Sequence, residues 1–194
     1  MTAGVEQALI EEAVTEAPFK ISRRMWKQLL SELVCRGGDR RESGAFLLAD
    51  HDGASVTAVA YYDDLDANCL TGGISFASSG FTELWRICRS EGLKVVGDVH
   101  THPGQWVMQS EIDATNPMIA RVGHVALIVP SYGRARSVRD CGVHIYLGSR
   151  QWLQVPADSS ESVMRIYGVL SRDQIVEWMT SLARRLRRIR GGQR

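Results

Sequence analysis

The residues of this chain whose types and spacing could do chemistry gather in GDVHTHPGQWVMQSEIDATNP, residues 97 to 117. Two of its five histidines, His100 and His102, stand two positions apart there, followed by Ser110 and Asp113. In an extended strand side chains alternate between faces, so both imidazoles project to one side while Thr101 points away. Pro103 and Gly104 end such a strand and leave the imidazoles at its tip. Two neutral imidazoles so placed can share a zinc ion at about 2.0–2.1 Å each, and a third ligand is then needed. Asp113 supplies it if the chain loops back. Ser110 is a natural N-cap, Asp113 falls in the first turn after it, and Pro117 cuts the helix short. The same turn brings the Ser110 hydroxyl near whatever occupies the fourth position. Three protein ligands and one open position describe a catalytic zinc rather than a structural one. A water at that position needs a base, and Glu42 in RRESGAFLLAD stands at the mouth of an apolar run. A sheet can hold such a carboxylate against the water and let it hand the proton to a leaving amine. Spacing alone also allows Glu42 to be an ordinary strand-end charge.

Those residues need a scaffold, and 194 residues with 44% hydrophobic content suffice for one ordinary core. ISRRMWKQLLSELVCRG places Met25, Leu29, Leu30, Leu33 and Val34 at helical spacing, with Gly37 and Gly38 to stop the helix. SGAFLLAD and ASVTAVAYY read as strands joined by HDG, a hairpin signal that makes His51 a turn residue. SGFTELWRICRSEG predicts a helix capped by Ser79 and running to about Glu91 before Gly92. LKVVGDVH is a strand interior, and HVALIVP, GVHIYLG and QWLQV are further strands. Helices interleave with strands, which predicts a layered α/β (α+β) domain. Ser171 with Gln174 forms a capping-box signature, and Ile175, Trp178, Met179, Leu182, Leu186 and Ile189 follow on one helical face. The last twelve residues carry six arginines and end RIRGGQR.

Glu42, then H-T-H, seven residues, S, two residues and D resembles the JAMM signature of the JAB/MPN zinc metalloproteases. The resemblance covers residues 20 to 155 and implies a curved mixed sheet flanked by helices. It implies one zinc per chain on His100, His102 and Asp113, Glu42 as general base and acid, and Ser110 as donor to the tetrahedral oxyanion. The implied reaction is hydrolysis of an isopeptide or peptide bond after the C-terminal glycine of ubiquitin or a ubiquitin-like protein. A compact chain of this kind is similar to prokaryotic JAB proteins, which implies a small ubiquitin-like or sulfur-carrier protein as substrate and its activating or conjugating enzymes as partners. Degenerate relatives act as non-catalytic scaffolds, but they lose ligands and this chain keeps all of them. RadC-like proteins share the ligand spacing with a different motif, H-N-H-P-S-G.

The expected organisation is an acidic segment over 1–19, the JAB/MPN-like domain over 20–155 and a helical extension with a basic tail over 156–194. Residues 1–18 hold four glutamates and no lysine or arginine, unlike a signal peptide, and no stretch is apolar enough to span a membrane. A cytoplasmic location is expected. Cys35, Cys69, Cys88 and Cys141 are scattered, without a C-x-x-C pair, and read as reduced structural thiols. The net charge of +1 argues against whole-surface attraction to nucleic acid while leaving room for a local patch. His124 and His144 read as packed or surface histidines. Asp98 is either a partner to a ligand histidine or a strand-end charge. Trp106 and Met108 either cover the core or form an apolar lip for a substrate tail. The arginine-bearing loop SYGRARSVRDC, residues 131–141, is a candidate substrate contact or a solvated hairpin loop. The RIRGGQR ending resembles the diglycine tail of ubiquitin and suggests a tail that could enter the site of its own or another copy.

Overall fold

The computed structural model describes residues 19–71 and 73–168. The acidic N-terminal segment, the helix expected beyond Ser171 and the RIRGGQR ending lie outside them. A short strand, β1 (Phe19–Ser22), leads into helix α1 (Arg23–Gly37). Ser22 caps it by accepting the Met25 N–H at 3.1 Å, and Gly38 ends it in the left-handed region at φ 58°. That conformation costs a glycine nothing sterically. Of the apolar stripe read from the sequence, Leu29 and Leu33 are buried and Met25, Leu30 and Val34 half-buried, while Trp26, outside that stripe, is buried with them.

The hairpin follows as β2 (Gly44–Asp50) and β3 (Val56–Tyr61), with His51 in the turn. A single turn, α2 (Tyr62–Leu65), precedes helix α3 (Ser78–Glu91), which Gly92 stops at φ 66°. Ser79 does not cap α3. The helix begins two residues earlier than such a cap implies, with Ala77 in the cap position and its N–H donated to the Asp66 carboxylate at 2.9 Å. Then come β4 (Leu93–Thr101), the short helix α4 (Glu111–Thr115), β5 (Val125–Val129), β6 (Gly142–Gly148) and β7 (Gln151–Val155). Six strands make one curved mixed sheet in the order β3-β2-β4-β5-β6-β7, parallel only between β4 and β5.

The two sheet faces are covered differently, and this creates the site. One face packs Leu47, Val99, Leu127, Val143 and Ile145 under α1. On the other, Phe46, Leu48 and Tyr62 meet Leu84 and Cys88 of α3. Among the described residues, Met118 and Ile119 of the 102–124 crossover also pack on that second face. A bulge sets the alternation. β2 pairs Leu47 with Gly97 but Leu48 with Val95, so Val96 is an extra residue in β4. Val95 thereby joins the α3 side, and Asp98, His100 and His102 remain on that side with it.

A second, two-stranded sheet lies outside the sequence expectation: β1 pairs in parallel with β8 (Met164–Tyr167). Met164 and Val163 are buried in the main core beside Ile21. Residues just beyond 155 thus pack with β1 and the main core. No described helix is long and apolar enough to cross a membrane.

Candidate metal centre

β4 ends with both histidines buried on the same face of the sheet. Their Nε2 atoms lie 3.2 Å apart, and Asp113 Oδ2 lies 3.7 Å from that of His100 and 3.4 Å from that of His102. Tetrahedral coordination with bonds of about 2.0–2.1 Å requires donor separations of about 3.3–3.4 Å. The three edges are those one ion needs. His102 Nδ1 lies 3.0 Å from the Trp106 carbonyl, which assigns its N–H there and leaves a lone pair on Nε2. Two imidazole nitrogens and a carboxylate oxygen then converge, a set that a shared proton or a cation can hold together. Burial works against a charge on His100, yet Asp113, with Asp98 and Glu42 behind it, raises its pKa above the ordinary imidazole value. Burial likewise opposes the Asp113 carboxylate, but His100, His102 and the Ser110 hydroxyl hold its pKa far below the usual range. Two nitrogens and one oxygen suit a divalent transition ion.

Local sequence explains how Asp113 arrives. Ser110 and Asp113 form a capping box at the start of α4. Ser110 Oγ accepts the Asp113 N–H at 3.2 Å, while Asp113 Oδ2 accepts the Ser110 N–H at 2.8 Å and its hydroxyl at 2.7 Å. The oxygen facing the histidines is therefore the one Ser110 orients. Trp152 Nε1 donates to the Ala114 carbonyl at 3.1 Å and ties the same helix to β7.

Glu42 reaches the site through strand register. Gly44 pairs with His100, and the Thr101 N–H donates to the Ser43 carbonyl at 2.9 Å, so the next residue back lies beside His102. Burial raises the pKa of half-buried Glu42, against the opposing charges of His100 and His102. Thr101, pointing away as the alternation requires, locks this register. Its Oγ1 accepts the Ser43 N–H at 3.0 Å, and Ser43 Oγ donates to the Leu33 carbonyl of α1 at 2.8 Å. Gly44 has no room for a side chain, since a Cβ would overlap the Tyr62 ring.

Three polar residues have roles that the sequence reading did not assign. Asp98 is neither a ligand's hydrogen-bond partner nor a strand-end charge. It is buried, accepts the Tyr62 hydroxyl at 3.0 Å and pairs with His124 Nε2 at 2.6 Å. His124 is packed, as one of its two readings had it, and Nδ1 finds no described partner. His144 Nε2 donates to the Val107 carbonyl at 3.0 Å, and burial holds its pKa below the ordinary value. Beside it a Cβ on Gly142 would overlap the Val107 carbonyl. β6 thus grips the ligand-bearing loop at the residue after Trp106. A histidine on the ligand face, two strands away from β4, was the available signal, but its partner is a backbone carbonyl that no pattern marks.

Trp106 is 67% exposed and Ile112 69%, so Trp106 does not cover the core; Met108 is half-buried. A cleft of about 450 Å³ opens beside His100 and Asp113, walled by Ile74, Phe76, Ile112 and Trp152. The 131–141 loop abuts the site through Ser131, whose N–H donates to the Gly104 carbonyl at 2.8 Å. Its arginines are engaged within the chain: Arg134 with Asp39, Arg136 with Asp140 and Arg139 with Glu161.

No protein-family model matches the chain. Among solved structures, a protein from Desulfitobacterium hafniense is similar at 16% identity and a TM-score of 0.53, over 80% of this chain and 97% of that one. A JAB1/MPN domain protein from Archaeoglobus fulgidus matches at 20% identity and a TM-score of 0.43, over 72% and 95% of the two chains. A protein from Salinibacter ruber matches at 17% and 0.48, over 71% and 88%. The first likeness is one of fold.

Proposed function

We infer that the chain is a zinc-dependent hydrolase of the JAB/MPN (JAMM) type, cleaving a peptide or isopeptide bond after the C-terminal glycine of a ubiquitin-like protein. The observation that carries this reading is the convergence of His100, His102 and Asp113 at ligand spacing, with Glu42 held beside them by the β2–β4 register. When bound, the zinc ion supplies Lewis acidity that eases deprotonation of water and polarises a carbonyl. Glu42 takes the proton of the attacking water and returns it to the leaving amine, a role that suits a carboxylate whose pKa burial has raised. Ser110 orients Asp113 first, and its hydroxyl is close enough to that ligand to donate to a developing oxyanion. Exposed Trp106 and Ile112 flank the approach and suit an extended, glycine-ended tail.

The test is Glu42→Gln against a panel of ubiquitin-like proteins fused through their terminal glycine to a reporter. The near-isosteric amide cannot take the proton, so zinc content and melting temperature should persist while cleavage falls at least a hundredfold, the span of a lost general base being about 10²–10⁴. Equal cleavage by both proteins would remove Glu42 from the mechanism. Zinc-loaded wild type that binds such a protein without cleaving it would make the chain a binding module.

A further inference from the structure

At the far end of β4 from the histidines lies a second cleft, also of about 450 Å³. Lys94 and His100 are six residues apart in one strand, roughly 20 Å at about 3.3 Å per residue. The cleft has three parts. Cys88 and Val95, both buried, make an apolar floor. Trp85 of α3, 39% exposed, makes an aromatic wall. Arg89, Lys94, Arg121 and His51 make the rim, and no aspartate or glutamate is among the residues lining it.

The cations are available for a ligand. No described carboxylate pairs with Arg89, Lys94 or Arg121, whereas Arg86 on the same helix is held by Glu83 at 2.6 Å. Among the described residues the cation stacked on a ring is Arg36 over Tyr61, and Arg89, one turn after Trp85, is not stacked on that indole, which is 39% exposed. The end of α3 opposes an anion through its free carbonyls, but three carbonyls of residues lining the cleft are satisfied. Cys88 O accepts the Gly92 N–H, Gly92 O accepts the His51 N–H at 3.0 Å, and Val95 O accepts from Arg121 at 3.2 Å. The last bond also fixes Arg121 at the rim. Three cations and no carboxylate thus line a pocket within the ordinary size of ligand sites, about 300–1,000 Å³, with Asp52 held beside His51 at 3.3 Å outside it.

We propose that the cleft formed by Trp85, Arg89, Lys94 and Arg121 binds a nucleotide, its base stacked on Trp85 and its phosphate on the three cations. Flat rings stack on tryptophan regardless of identity, and guanidinium groups match phosphate oxygens through paired N–H donors. The nucleotide could be free or part of a single strand, since both present the same base and phosphate. The site is independent of the hydrolytic reading and does not share a residue with it.

The test follows the Trp85 indole N–H resonance of the zinc-loaded full chain, assigned by Trp85→Phe. The probes are AMP, adenosine, inorganic phosphate and a single-stranded octamer of adenylate. AMP should shift the resonance with a submillimolar Kd, and adenosine or phosphate alone should bind at least about tenfold more weakly. Arg89→Ala with Lys94→Ala, surface changes without described partners, should weaken AMP by about tenfold or more at unchanged melting temperature. An octamer that binds per site no better than AMP assigns free nucleotide, and one that binds much more tightly assigns a single strand. An unmoved Trp85 at about 10 mM AMP, or equal binding by the double variant, overturns the proposal.

Discussion

Gly142→Ala should damage the metal centre from a strand that supplies no ligand. Gly142 has no positive φ, so the added methyl costs nothing in backbone conformation and the whole effect is steric. The new Cβ would overlap the Val107 carbonyl and sit 2.9 Å from His144 Nε2, forcing the loop off β6 and parting those two groups. Overpacking of this kind costs about 1–3 kcal/mol. Leaving the His144 donor and the Val107 acceptor unpaired costs about another 1–3 kcal/mol. At about 2–4 °C per kcal/mol for a chain of this size, the sum of about 2–6 kcal/mol lowers the melting temperature by about 4–24 °C. Because the carbonyl that orients His102 belongs to Trp106, next in the chain to Val107, zinc affinity should fall by about 10–100-fold. Calorimetry of zinc-stripped protein measures the first effect, and competition with a chromogenic chelator measures the second. His144→Ala, which removes the hydrogen bond without adding bulk, should show the smaller thermal loss. A Gly142→Ala protein with wild-type melting temperature and zinc affinity would refute the claim that β6 holds the ligand loop.

Ser110→Ala should lose about 1 kcal/mol of helix capping and, measured on a cleavable fusion, about 10²–10³ in rate; an unchanged rate would confine Ser110 to capping. His124→Ala should destabilise the fold by about 3–5 kcal/mol in urea titration, because it leaves the buried Asp98 carboxylate with Tyr62 alone; a loss under about 1 kcal/mol would contradict that pairing. In zinc-stripped protein the Asp113 pKa is depressed and the His100 pKa is raised. Asp113 thus stabilises the fold above its unfolded pKa of about 3.9 and loses that contribution as pH falls through its folded value, whereas His100 contributes below about 6.5 and loses it as pH rises through its own. The stability advantage of stripped wild type over Asp113→Asn should therefore peak between about pH 4 and 6.5, and a difference that is flat with pH would contradict the coupling.

What could be read from the sequence was what local chemistry determines. Ser22 and Gly38 bound α1 as their residue types require, and the period-two spacing of His100 and His102 put both on one face. Ser110 capped a turn containing Asp113 for the same reason. The parallel β1–β8 pair was not legible, because it joins runs of only four residues from opposite flanks of the chain, too short for their alternation to stand out. Nor was the extra residue at Val96, which exists only relative to the partner strand. Ser79 misled because the carboxylate that binds the start of α3 is Asp66, well upstream. Glu42 could be nominated by motif, but only the pairing of Gly44 with His100 explains how it gets there. The Asp98–His124–Tyr62 cluster and the His144–Val107 contact are long-range pairings, and residue type alone left those histidines undecided.

The most direct measurement is anomalous diffraction at the zinc edge from crystals of protein purified without added metal. The account predicts one peak per chain within about 2.0–2.2 Å of His100 Nε2, His102 Nε2 and an Asp113 oxygen, absent from crystals of His102→Ala. No peak at those three atoms in zinc-soaked wild type, or a peak that survives the loss of His102, would contradict it.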